Sequence, residues 1–157
     1  MRGWPVAVAT MTLTAVHAGA NAMAGELNEQ TLRRQYVLHC SGCHGPNGEG
    51  LPEKGIPNFK ETGLLVSDPK GRAYLVRVPG VAQSPIDDAG TADLLNWILR
   101  EYGKSSSGNF APFTPAEVAR YRANPENDPR RLRQNLLRNR SLTARPQTRV
   151  PATSSGD

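Results

Sequence analysis

Between residues 41 and 70 the chain carries Gly42, Gly45, Pro46, Gly48, Gly50, Pro52, Gly55 and Pro57. No other stretch constrains the fold as strongly. Inside a helix, glycine costs about 1 kcal/mol and proline about 3 kcal/mol relative to alanine. A long helix cannot pass through this run, which reads as a loop-dominated segment. With 15 Gly, 13 Pro and an apolar fraction of 38% in 157 residues, the chain has material for one modest core and some leftover sequence. A prosthetic group would supply part of such a core.

Helical patterns flank this segment, and no internal repeat is present. Residues 27 to 39 predict a helix with Asn28 as cap, Glu29 in the first turn, and Leu32, Tyr36 and His39 or Cys40 on one face. A short helix is expected from Arg72 to Val78, stopped by Pro79-Gly80. The clearest helix runs from Asp88 to Tyr102, with Asp87 as cap and a broad apolar face of Leu94, Leu95, Trp97, Ile98 and Leu99. Thr114-Pro115-Ala116-Glu117 then forms a helix start with a capping box. Another helix begins near Asp128-Pro129 and carries Leu132, Leu136 and Leu137, and beyond Ser141 the composition is that of a disordered tail. The expected fold class is all-α.

The first residues predict export. Arg2 provides a positive start, Trp4 to Ala20 is free of charge, and Ala20-Asn21-Ala22 and Ala22-Met23-Ala24 both fit signal cleavage. Thr10, Thr12, Thr14, His17 and Asn21 spoil the stretch as a membrane anchor, which needs about 20 strongly apolar residues. Residues 1–24 are therefore expected to be a cleaved signal, the mature chain is expected to start near Gly25 in the periplasm, and no later stretch is long and apolar enough to span a bilayer.

Export sharpens the meaning of the two cysteines, Cys40 and Cys43, which His44 follows at once. This C-x-x-C-H spacing is that of covalent haem attachment. Two thiols three positions apart can each add to one vinyl group of the porphyrin, and the next residue directs an imidazole at the iron. A thioredoxin-like dithiol would need a strand before the motif and a long helix after it. Here a helix precedes it and loop follows. A zinc site would need further Cys or His, and beyond this cluster only His17 remains.

Cys40-Ser41-Gly42-Cys43-His44-Gly45-Pro46-Asn47-Gly48-Glu49-Gly50 resembles the opening of bacterial class I c-type cytochromes. The resemblance extends over residues 28 to 102 and includes Pro57-Asn58-Phe59 and the helix to Tyr102. It implies a class I cytochrome c-like haem domain over residues 25–111, holding one haem c through Cys40 and Cys43, with His44 as iron ligand. It implies that the first and last helices cross at the haem edge, with Trp97 or Tyr36 at the crossing. It also implies a proline carbonyl that accepts from the His44 ring, and Pro57 is the best match. Such a bond orients the imidazole and makes it a better ligand.

The pattern breaks at the second axial ligand, which in this family is a methionine from the loop before the last helix. The methionines here are Met1, Met11 and Met23, all in or beside the signal. His39 is tethered on the attachment edge. Gln83, Lys60, Lys70, Tyr74 or water remain open as alternatives. Loss of the thioether lowers the reduction potential or leaves a vacant position.

The expected role is that of an electron carrier, not an enzyme. The alternative is a haem-based binder or sensor of small ligands. The phrase from Tyr74 to Pro85 is similar to small cytochromes that accompany periplasmic quinoprotein amine dehydrogenases. That similarity implies redox protein partners: a periplasmic dehydrogenase and a terminal oxidase or another cytochrome. Charge is divided unevenly, with a net −1 over residues 25 to 111 and +5 over residues 112 to 157, nine arginines included. This basic extension reads as a solvated surface helix and tail, or as a docking element for an acidic redox partner or anionic lipid. Without interleaved aromatics, and in an exported chain, it does not read as a nucleic-acid binder.

Overall fold

The computed structural model describes residues 16–103 and 110–143, with side chains from residue 28 to residue 141 within those ranges. The first fifteen residues of the predicted signal and the tail from residue 144 lie outside the described residues. Within them the fold is all-α, without a sheet; one isolated bridge pairs Leu51 with Ile56. No helix among these residues is long and apolar enough to cross a membrane.

Helix α1 spans Val16–His39. It starts well before the predicted residue 27 because residues 16–27 are rich in alanine and hold no proline; Asn28 therefore lies inside the helix and caps nothing. The Gly- and Pro-rich segment gives only short turns, as its composition demands. One turn, α2, covers Ser41–His44; two 3₁₀ turns cover Pro52–Lys54 and Phe59–Glu61; and α3 covers Thr62–Leu65.

Helix α4 (Pro69–Arg77) begins earlier than the predicted Arg72, because Asp68 caps it by accepting from the Lys70 N–H at 2.9 Å and Pro69 takes the first position. After Val78 leaves helical geometry, one turn, α5 (Pro79–Ala82), leads into the loop before α6. Helix α6 (Asp88–Glu101) has the expected cap, Asp87, accepting from the Gly90 N–H at 2.7 Å. Helices α7 (Pro115–Arg122) and α8 (Pro129–Thr143) follow, and Thr114 caps α7 through the Glu117 N–H.

Helix α6 is the centre of the molecule. One face carries Leu94, Trp97 and Ile98 against Leu32 and Tyr36 of α1. The other carries Ala92, Leu95 and Leu99 against Leu65, Val66, Tyr74, Leu75 and Val76, and against Phe113, Val118 and Leu136 from the C-terminal segment. Apolar residues on both faces are what a helix packed between two layers needs. The C-terminal helices thus complete the core rather than lying wholly in solvent: Val118 is fully buried. Few apolar residues do this, spaced among arginines, so their helical face is faint in the sequence.

Polar contacts fix the same segment. Arg72 of α4 grips Glu117 with two hydrogen bonds of 2.8 and 2.7 Å, and its guanidinium lies 4.1 Å from the centre of the Phe113 ring. Arg77 pairs with Glu126 at 3.2 Å, and Arg133 pairs with Glu61. Buried Asn96 on α6 donates to the Phe113 carbonyl at 3.0 Å and accepts from the Phe113 N–H at 2.7 Å. Asn96→Ala orphans both backbone groups, so we expect a loss of about 3 kcal/mol. Denaturant titration checks this, as a lower midpoint at unchanged slope.

Candidate haem attachment site

The motif sits where α1 gives way to a single turn. The Cys40 N–H still bonds the Tyr36 carbonyl at 2.9 Å, and the His44 N–H bonds the Cys40 carbonyl at 2.9 Å. One turn of helix therefore holds both thiols and the imidazole on a short, rigid arc. Cys40 is half-buried and Cys43 exposed, and they are not joined as a disulfide. Burial, with a smaller push from neighbouring Cys43, raises the Cys40 thiol to about 11.

The loop that follows returns to the histidine. His44 Nδ1 lies 3.1 Å from the Pro57 carbonyl oxygen. A carbonyl only accepts, so Nδ1 carries the hydrogen and Nε2 keeps its lone pair. Burial lowers the His44 pKa, outweighing the opposite pull of the Pro57 bond, and this favours the neutral ring that a metal needs. Gly50 makes the approach possible. Its φ is +70°, and a Cβ there would stand 2.5 Å from the Pro57 oxygen, so a side chain would displace the carbonyl that orients His44. At Gly48, also at positive φ, a Cβ would meet Phe59 at 2.9 Å and Tyr102 at 3.1 Å.

Aromatic rings lock this arc onto the helix crossing. Phe59 stacks on the His44 ring at 4.1 Å, and Tyr102 lies 6.2 Å from Phe59. Tyr36 and Trp97 meet at 5.6 Å where α1 crosses α6, and Tyr102 packs against both. The Tyr36 hydroxyl donates to the Gly45 carbonyl, the Tyr102 hydroxyl donates to the Pro46 carbonyl at 3.2 Å, and Trp97 Nε1 donates to Glu29 at 2.8 Å. Sequence reasoning named Tyr36 and Trp97 but missed Phe59 as a ring partner, although it stands in the Pro-Asn-Phe segment.

Beside Cys40 opens a small, mostly apolar cleft, lined by His39, Gly80, Val81, Ser84 and Ile86 and, from α6, by Thr91, Leu94, Leu95 and Ile98. Gln83, Lys60 and Lys70 are exposed and do not line it. Tyr74 is buried in the other layer of the core, its hydroxyl raised to about 12 by burial and, less, by Glu126. Of the side chains weighed as a second axial ligand, His39 is the one that borders the cleft.

No family model matches the chain, and no solved structure matches it. Two curated relatives do, both named cytochrome c-552 and both from Thermus thermophilus. Each is 30% identical over 103 residues, covering 54% of this chain and 79% of one relative and 70% of the other. The chain belongs to the bacterial c-type cytochromes. For a member of this family the donor set fits a covalently held haem: two free thiols at attachment spacing, an imidazole with its lone pair free, and an apolar cleft beside Cys40. Among the described residues no three His, Cys, Asp or Glu side chains converge as a bare metal ion would require.

Proposed function

We propose that this cytochrome is an exported, single-haem carrier of electrons between redox proteins. Cys40 and Cys43 hold haem c, and His44 is its iron ligand. The observation that carries this reading is the His44–Pro57 contact of 3.1 Å directly behind the two thiols. It gives a small domain an imidazole of fixed tautomer and fixed direction. When bound, haem supplies a one-electron iron couple. The chain's own work is to orient His44, to cover the porphyrin with Ile86, Leu94, Leu95 and Ile98, and to keep the site rigid through the Tyr36–Trp97–Tyr102 cluster. Rigidity matters because an electron carrier works fastest when little rearranges with the charge. Exposed Val37 and Leu38, just before the motif, offer a small apolar surface suited to a brief encounter with a redox partner. A periplasmic dehydrogenase as donor and an oxidase or second cytochrome as acceptor fit this role.

A second reading, a binder of small ligands at the iron, is favoured by one observation. The loop before α6 turns Val81, Ser84 and Ile86 to the cleft, none of them a strong iron ligand. Voltammetry of the loaded chain decides between the two. The carrier reading predicts one reversible one-electron wave, unchanged under carbon monoxide. A wave that carbon monoxide shifts or abolishes would favour the ligand binder.

A further inference from the structure

We infer that Arg122 is a positioning residue, by which the C-terminal segment sets the wall of the haem cleft; this rests on the haem reading above. Arg122 ends α7, yet its guanidinium works on a loop about forty residues earlier. Nε donates to the Ala82 carbonyl at 3.4 Å. Nη1 donates to the Ile86 carbonyl and to Asp88 Oδ1, each at 2.9 Å. Nη2 donates to the Val81 carbonyl at 3.3 Å and to the Ser84 carbonyl at 3.0 Å. All five guanidinium hydrogens are engaged, four of them on backbone oxygens of one short loop.

That loop is the wall of the cleft. Val81, Ser84 and Ile86, whose carbonyls Arg122 holds, also line the space beside Cys40. The loop has little regular structure of its own, since α5 is a single turn and Ser84 to Asp87 lies between helices. Its short backbone bonds, such as Gln83 N–H to Pro79 at 3.0 Å and Ser84 N–H to Val81 at 3.2 Å, close local turns but do not tie it to the body of the fold. The Thr91 hydroxyl on α6 adds one bond to the Ile86 carbonyl at 3.3 Å; Arg122 adds the other ties, and its side chain is 17% exposed, so water cannot readily replace its five bonds. Lysine has three donors on one nitrogen and cannot span the same oxygens. In this chain, where the loop brings no methionine, its backbone path sets how closely Val81 and Ile86 close the cleft beside Cys40.

The test compares Arg122→Gln and Arg122→Lys with Arg72→Gln in the haem-loaded protein. Arg72 ties the same C-terminal segment to the body, through Glu117, without touching the loop. The readouts are the binding rate of imidazole to ferric haem, followed optically, and the thermal midpoint. We expect imidazole to bind about tenfold faster or more in both Arg122 variants, corresponding to about 1.4 kcal/mol of lost closure. Arg72→Gln should lower the midpoint and leave that rate unchanged. Equal rates in all variants, or equal acceleration by Arg72→Gln, overturn the inference and leave Arg122 a general brace. Absence of covalent haem from the parent chain overturns the haem reading instead.

Discussion

A chain in which both Cys40 and Cys43 are replaced by serine is expected to yield no haem that survives denaturation and acid–acetone extraction, where the parent chain keeps one. On the proposed reading each thiol would add its sulfur and hydrogen across one vinyl group, so attachment would form two carbon–sulfur bonds and call for no oxidant. Serine hydroxyls do not make that addition under the same conditions. Single variants should keep one bond and hence retain haem, in reduced yield. Loss is complete only in the double variant, because denaturation removes the fold and leaves a carbon–sulfur bond as the sole means of retaining haem. Haem-stained denaturing gels of the four chains check the order.

The largest expected loss of stability belongs to Trp97→Ala. Trp97 is 1% exposed, lies 5.6 Å from both Tyr36 and Tyr102, and donates to Glu29 at 2.8 Å. Truncation leaves a cavity at the crossing of α1 and α6, and such losses run at about 3–5 kcal/mol. The haem-loaded chain should unfold at a much lower denaturant concentration. Trp97→Phe keeps one aromatic ring at the crossing and loses the N–H together with the rest of the indole, so it should fall well short of that penalty. Equal losses for the two variants would mean that the hydrogen bond to Glu29, rather than packing, holds the crossing.

Much of this was legible before any coordinate. Helix α6 was readable because its cap, Asp87, and its apolar run are local signals, and the attachment motif because its chemistry demands fixed spacing. The approach of Pro57 to His44 came from family resemblance, and the structure adds the reason for Gly50. The boundaries of α1 and α4 were less legible. Residues 16–27 carry no helix stop, and Asp68-Pro69 is a start signal that the Gly- and Pro-rich context obscured. What the sequence hid most was the use of the C-terminal segment. Phe113, Val118 and Leu136 are too sparse to mark a buried face, and the partners Arg72–Glu117 and Arg122–Ile86 lie far apart along the chain. Asn96 was the one clue, an amide among Leu94, Leu95, Trp97 and Ile98, where only a fully bonded polar group is tolerated.

The central claim is that the Cys40–His44 turn carries one covalent haem, and mass spectrometry of the exported chain tests it most directly. The chain should be made in a bacterium with its haem-attachment machinery, measured intact and then after proteolysis. The expected result is the polypeptide plus a single haem, with the increment on the peptide that contains Cys40 to His44. A bare polypeptide mass, or one lighter by the two hydrogens of a Cys40–Cys43 disulfide, would contradict it.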